Sequence, residues 1–193
     1  MVAQLAISAG SPKSLVGVVG ERLFRRAGRT GSTADARRYF GCGIPRSEAI
    51  YMYLDTAILV KLFVAEPDSE FFGRMVDGQP VCSSAIAYTE FWSALFGKER
   101  AGAITGEQRR RAWVAFHRNV EEETIVLVPV SEATLKKANR ILEQCHPQVA
   151  LRSLDALHLA ACDQMQDWPL CTTDARMRRA ADMLRFTLTP LPS

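Results

Sequence analysis

The chain has 193 residues, of which 48% are hydrophobic and 23% charged, and its formal net charge is +3. This length and composition suit one domain of about 140 residues with an additional segment. No run of about 18 uncharged apolar residues occurs, so we predict no membrane span, and five cysteines without a CxxC pair favour buried thiols of a cytoplasmic protein over disulfides or zinc ligands.

The segment 1–51 differs in composition from the rest of the chain. It holds eight basic residues against three acidic ones and seven of the twelve glycines. We therefore predict a poorly ordered basic extension over 1–51 and a folded domain over 52–193. Three explanations of the extension stay open: an arm that contacts nucleic acid, a transit-like leader, or residues added by a start codon upstream. The third is favoured because Met52 stands directly before the first predicted strand.

From Met52 onward, predicted strands alternate with predicted helices. Short apolar runs predict strands at 52–54, 80–83, 124–130, 170–172 and 186–188. Periodicity and capping signals predict helices at 57–64, 68–75, 85–100, 105–121, 131–145, 153–165 and 174–184. The expected N-caps are Ser83 or Ser84, Thr105 in a capping box with Gln108, Ser131 and Ser153. This alternation predicts an α/β fold, a three-layer α/β/α domain around a central, mainly parallel sheet.

Four acidic residues stand where these strands end or these helices begin. Asp55 follows the first strand, Glu90 lies in the first turns of a helix, Asp155 lies near a helix start, and Asp174 follows the fourth strand. In a parallel sheet such positions meet at the carboxyl edge, where α/β proteins usually place their sites. Asp155 also lies in an otherwise apolar helix, which is a poor place for a solvated charge.

Each acid also has a structural explanation of its own. The three aspartates could cap or complement helix N-termini, and Glu90 could pair with a basic residue. Together, however, four carboxylates at one edge would repel one another unless a cation neutralised them. Oxygen ligands favour Mg²⁺ or Mn²⁺ over zinc, and such an ion can activate a water molecule toward a phosphodiester. The pattern therefore favours a metal-dependent nuclease.

Four stretches of the chain, in order, resemble the motifs of PIN-domain proteins, especially VapC-type toxins of bacterial toxin–antitoxin pairs. The stretches are 52–61, 88–91, 153–160 and 172–176, and the resemblance spans 52–193. It implies a Mg²⁺- or Mn²⁺-dependent endoribonuclease that cleaves RNA, forms a homodimer and is held inactive by a cognate antitoxin. Ala57, where a serine is common, and the extension 1–51 depart from the family pattern.

The resemblance also implies roles for particular residues. Asp55, Glu90, Asp155 and Asp174 match the acidic quartet of the family, and Thr173 matches its neighbouring hydroxyl. We predict Asp55 and Asp155 as direct metal ligands. Glu90 and Asp174 could bind through water, complete a second metal site or orient the nucleophile. His158 is interpreted as a structural hydrogen-bonding residue, with a proton shuttle as the alternative.

Basic and aromatic residues give less specific signals. The arginines at 109–111 and at 176, 178 and 179 could bind RNA phosphates or form solvated faces. Aromatic residues at helical spacing are predicted to lie in the core or in a partner groove, and Phe71 and Phe72 are the best candidates for a partner surface.

The main alternative function is a non-catalytic PIN-like module that binds RNA or protein. A phosphoacceptor enzyme of the haloacid-dehalogenase kind would need a second aspartate where Ala57 stands, and a receiver domain would need paired acids at the first strand. The sequence has neither feature, whereas all four acids of the quartet are present, so the nuclease is preferred.

Overall fold

The computed structural model describes residues 51–165 and 169–192. Apart from Tyr51, the predicted extension lies outside the described residues, so the division at residue 52 stays a prediction. The strands are β1 (Met52–Leu54), β2 (Val81–Ser84), β3 (Ile125–Val128) and β4 (Leu170–Cys171). The helices are α1 (Thr56–Phe63), α2 (Ser69–Val76), α3 (Ala87–Arg100), α4 (Gly106–Glu121), α5 (Glu132–Cys145), α6 (Ser153–Gln164) and α7 (Ala175–Met183).

The described strands form a sheet in the order β3-β2-β1-β4, and every pairing is parallel. Tyr53 in β1 is aligned with Cys82 on one side and with Leu170 on the other. Because all strands run in the same direction, the residues that follow them meet at one carboxyl edge. The loops after β1 and β4, which carry two of the predicted site acids, are therefore neighbours.

The two faces of the sheet pack into separate apolar clusters, and successive strand residues alternate between them. Leu54, Val81 and Ile125 pack with α1, α2, α3 and α4, whereas Tyr53 and Cys82 pack with α5, α6 and α7. Successive side chains of a strand point to opposite faces, which explains the division. The predicted three-layer α/β/α fold is thereby confirmed. Among the described helices, none has the length and apolar character that crossing a bilayer requires.

Local capping signals agree with the structure at two helices and differ at two others. Thr105 and Ser131 each form the N-cap of a capping box, as predicted for Thr105 and for the Ser131 cap. At α6 the N-cap is Arg152, so Ser153 is the first helical residue and the predicted Ser153 cap is wrong. At α3 the predicted serine caps are also wrong, because Ile86 occupies the N-cap position. The hydroxyl of Ser83 instead donates to the Leu54 carbonyl at 2.7 Å.

Two further expectations need correction. The predicted strand at 186–188 is reduced to a single parallel bridge between Leu188 and Leu170, because β4 itself offers only two residues for pairing. Phe72 is fully buried in the core on the α1 side of the sheet, so it does not form a partner surface. Phe71 is half-buried and packs edge-on against Phe72, with ring centroids 5.2 Å apart.

Candidate active site

Asp55 lies at the end of the central strand β1 and begins α1. Its Oδ1 accepts the Ile58 backbone N–H at 2.8 Å, and its Oδ2 accepts the hydroxyl of Thr172. The residue is only 4% exposed. Burial raises the pKa of Asp55 even though both hydrogen bonds favour its ionised form, and the nearby charge of Asp174 raises it further. The strand therefore delivers a buried carboxylate that lacks sufficient positive charge around it.

Thr172 connects Asp55 to a second acid. The Thr172 hydroxyl, which donates to Asp55, also accepts the backbone N–H of Asp174 at 3.1 Å. Asp174 in turn caps α7, and its Oδ1 accepts the N–H groups of Arg176 and Met177 at 2.8 and 2.9 Å. Its Oδ2 faces the Arg176 guanidinium at 3.8 Å. The exits of β1 and β4 are thus joined by one buried hydroxyl.

Asp155 lies in the first turn of α6 and interacts electrostatically with the same group. Its Oδ2 accepts the Arg152 backbone N–H at 3.2 Å. Burial raises the pKa of Asp155, and the charge of Asp174 adds to this effect, while Arg176 and Arg152 oppose it. Asp174 therefore influences both other aspartates, which indicates that the three carboxylates share one region of negative potential.

Glu90 is held at this edge by a different set of contacts. Its Oε2 accepts the Thr56 hydroxyl at 2.5 Å and lies 2.8 Å from His158 Nε2. Burial disfavours the charge on Glu90, but the contacts with His158 and Thr56 outweigh burial, so the pKa of this carboxyl is lowered. The contacts of Glu90 therefore favour its ionised form, whereas burial of Asp55 and Asp155 disfavours theirs. Thr56 directly follows Asp55, so the anchor of Glu90 adjoins the aspartates.

The fit of a divalent cation to these residues can be tested on their donors and their electrostatics. The four acids offer only oxygen atoms, the ligands that Mg²⁺ and Mn²⁺ prefer. The raised pKa values of Asp55 and Asp155 point to uncompensated negative charge. Within residues 51–165 and 169–192, no three acidic, histidine or cysteine side chains stand close enough to hold a metal ion together. Because Mg²⁺ usually keeps several waters, one or two direct carboxylates are sufficient, so the donor set fits.

Two residues of this site were not found from the sequence. Thr172, fully buried, provides the hydroxyl that joins two of the acids, whereas the Thr173 hydroxyl makes no hydrogen bond to any described residue. The role implied for Thr173 stays a prediction. Thr56, which precedes the predicted helix 57–64 and is the first residue of α1 in the structure, contacts both Glu90 and His158. Only its position beside Asp55 could have drawn attention to it.

The arginine clusters divide according to what they contact. Arg178 donates to the carbonyls of Thr172 and Thr189, and Arg179 donates to the Gln148 carbonyl, so both stabilise loops. Arg176 faces the acids instead.

In the other cluster, Arg109 bonds to Glu99 at 2.5 Å and covers the rings of Trp92 and Phe96 at 5.0 and 4.8 Å. Arg111 pairs with Glu107 on the surface of α4. Arg109 therefore has a packing role, and Arg176 is the arginine of these clusters that lies at the site.

Comparison with known proteins agrees with this architecture. The family model described as PIN domain matches residues 52–183. Ribonuclease VapC46 of Mycobacterium tuberculosis is 35% identical over 136 residues, which cover 69% of this chain and 92% of that relative. The crystal structure of FitAcB from Neisseria gonorrhoeae superposes with a TM-score of 0.53 at 17% identity, over 72% of this chain and 96% of that one, and supports the fold alone. The family match over most of the domain and the similarity to a VapC protein confirm the resemblance of the motifs, and the chain belongs to the PIN domain family.

Proposed function

We propose that this protein is a Mg²⁺- or Mn²⁺-dependent endoribonuclease and the toxin of a toxin–antitoxin pair. The observation that carries the proposal is the arrangement of Asp55, Asp155 and Asp174 around the carboxyl edge, where burial, and to a lesser extent the charge of Asp174, raises the pKa of the other two. Membership of the PIN domain family and the 35% identity to a protein named as a ribonuclease support the same activity.

Each residue of the candidate site has a proposed role in phosphodiester hydrolysis. A divalent ion, when bound, polarises the phosphodiester and lowers the pKa of the attacking water. Asp55 and Asp155 are the direct ligands we propose, and Thr172 fixes the orientation of Asp55 relative to Asp174. Glu90 is ionised and uses Oε2 for its contacts to Thr56 and His158, so Oε1 is available to orient the nucleophilic water. Arg176 is placed to contact a phosphate of the RNA.

The proposed partners follow from the likeness to VapC-type toxins. They are an RNA substrate, a cognate antitoxin that silences the activity, and a second copy of this chain in a homodimer. An antitoxin-controlled ribonuclease acts in the cytoplasm, where its RNA substrates are. Reading the adjacent open reading frame and expressing the two proteins together tests the antitoxin. We expect expression of this chain alone to arrest growth and co-expression to restore it.

The nuclease proposal is tested with the purified full chain and a structured RNA. We expect cleavage in Mg²⁺, no cleavage in EDTA, and recovery when Mg²⁺ is returned. Asp55→Asn is the matched control, because it removes the charge while keeping the size and capping ability of the side chain. Cleavage by Asp55→Asn at the wild-type rate would contradict the assignment. RNA binding without cleavage, equal in both proteins, would favour the non-catalytic binding module.

A further inference from the structure

A chain of hydrogen bonds runs from the interior of the sheet to Glu90. The hydroxyl of Tyr53, in β1, lies 3.0 Å from Nδ1 of His158, in α6. The other ring nitrogen, Nε2, lies 2.8 Å from Glu90 Oε2 and 3.2 Å from the Thr56 hydroxyl. His158 is 3% exposed and Tyr53 is fully buried. Three elements distant in sequence, β1, α3 and α6, therefore meet at one imidazole.

The partners of the imidazole determine its tautomer. Tyr53 is fully buried, and its phenol is an ordinary hydroxyl donor. A buried hydroxyl proton needs an acceptor, and Nδ1 of His158 lies at hydrogen-bond distance. If Nδ1 accepts, the proton of the neutral ring is on Nε2, facing the Glu90 carboxylate. The ring edge also meets the Tyr53 ring at an interplanar angle of 81°, which limits rotation of the imidazole.

We infer that His158 is a positioning residue, which holds Glu90 through an Nε2–H proton while Nδ1 accepts from Tyr53. The inference rests on the proposed function, because it assigns to Glu90 a task in catalysis. The donors His158 and Thr56 both act on Oε2, so the carboxylate is anchored by one oxygen, and these two contacts leave Oε1 unused. A carboxylate held in this way contacts water or a cation with one oxygen and keeps its orientation when substrate binds.

Two substitutions at the same position separate positioning from packing. In His158→Gln the amide nitrogen lies near the place of Nε2 and can still donate to Glu90. In His158→Asn the shorter side chain reaches Tyr53 and leaves Oε2 without this donor. Both remove the imidazole from a core position, so both are expected to lower the stability of the fold. Chemical denaturation measures that common loss.

The kinetic test compares kcat and KM for RNA cleavage in Mg²⁺. We expect His158→Asn to lower kcat by about 10–100-fold, the usual cost of losing a group that orients a ligand, with KM little changed. His158→Gln should recover most of that loss. The matched control is Tyr88→Phe, because Tyr88 contacts His117 at 2.8 Å in a similar pair between α3 and α4, and this pair does not include Glu90. Its kcat should equal that of the wild type. Equal kcat losses in both His158 variants would overturn the inference.

A second readout needs no activity and distinguishes failure of this inference from failure of the proposed function. In nitrogen NMR spectra of the metal-free protein we expect His158 to carry its proton on Nε2 and none on Nδ1. Tyr53→Phe should shift the Nδ1 resonance, because this nitrogen loses its hydrogen-bond donor, while the proton stays on Nε2 opposite Glu90. A wild-type ring protonated on Nδ1 would overturn the inference even if RNA is cleaved. If the expected tautomer is found but the protein cleaves no RNA, the contact between His158 and Glu90 is supported and the nuclease proposal is refuted.

Discussion

The substitution Asp55→Asn tests whether the Asp55 carboxylate is needed for catalysis or only for the fold. Asparagine caps helices about as well as aspartate, so the bond from Ile58 N–H to Oδ1 can persist, and the amide nitrogen in place of Oδ2 can donate to the second lone pair of the Thr172 hydroxyl. Because burial raises the pKa of Asp55, its charge destabilises the metal-free fold. We therefore expect Asp55→Asn to be at least as stable as the wild type in EDTA while losing about 10²–10³-fold in RNA cleavage.

Asp55→Ala supplies the contrast. It removes the acceptor of the Ile58 N–H and of the Thr172 hydroxyl, which should cost about 1–3 kcal/mol of stability. Cleavage should fall as far as in Asp55→Asn. The two variants thus share a catalytic defect and differ in stability, a combination that a purely structural role of Asp55 does not produce.

The difference in stability between the wild type and Asp55→Asn should depend on pH, because the pKa of Asp55 is raised in the folded chain. Below about pH 3.9, the pKa of an unfolded aspartate, Asp55 is protonated in the folded and unfolded chains alike, and its penalty is absent. As the pH rises through the raised pKa of the folded chain, the folded state holds the proton longer, so stability falls. Wild type should therefore lose stability relative to Asp55→Asn as the pH rises through this window.

The assay is urea denaturation followed by circular dichroism, with EDTA present, from pH 4 to pH 8, together with RNA cleavage in Mg²⁺. Asp155 and Glu90 are present in both proteins, so their contributions to the pH dependence largely cancel in the difference. The reasoning is refuted if Asp55→Asn loses as much stability as Asp55→Ala, because the charge would then be stabilising without a cation.

Three further predictions concern single contacts of the described residues. Thr172→Val should lower the free energy of unfolding by about 1–3 kcal/mol and lower kcat, because Asp55 and the Asp174 N–H lose their common partner. Thr173→Val should leave the stability unchanged in the same denaturation assay. Equal effects of the two substitutions would contradict this assignment. Arg109→Met should lower the stability by about 1–3 kcal/mol, because the Arg109 side chain is 16% exposed and covers Trp92 and Phe96. Arg111→Met should change the stability by less than about 0.5 kcal/mol, because the Arg111 side chain is 61% exposed. Arg176→Ala should weaken RNA binding and lower its salt dependence by about one counterion, whereas Arg179→Ala, which loses only a contact to the Gln148 carbonyl, should not; fluorescence anisotropy at several salt concentrations decides between them.

Features with a local cause were predictable from the sequence. The capping box at Thr105 needs only Gln108, three residues later, and its geometry is independent of the rest of the fold. The alternation of short apolar runs with amphipathic segments is likewise local, and it led to the α/β architecture. The departures at Ser84 and Ser153 have no local signal, because Ile86 and Arg152, which are not preferred N-cap residues, occupy the N-cap positions of α3 and α6.

Features that depend on distant contacts were not predictable. Thr172 acts on Asp55 across 117 residues of sequence, and nothing near Thr172 distinguishes it from Thr173. The different exposure of Phe71 and Phe72 depends on how α2 is rotated against the sheet. His158 could be assigned a structural hydrogen-bonding role from its place on an apolar helix, but its partners Tyr53 and Glu90 lie 105 and 68 residues away.

We propose that the carboxylates at the carboxyl edge of the sheet hold a divalent cation. The most direct measurement is Mn²⁺ binding to the metal-free protein by electron paramagnetic resonance, for the wild type, Asp55→Asn and Asp174→Asn. We expect bound Mn²⁺ in the wild type, displaced by Mg²⁺, and weaker binding in both variants. Wild-type affinity for Mn²⁺ in Asp55→Asn, or no Mn²⁺ bound by the wild type, would contradict it.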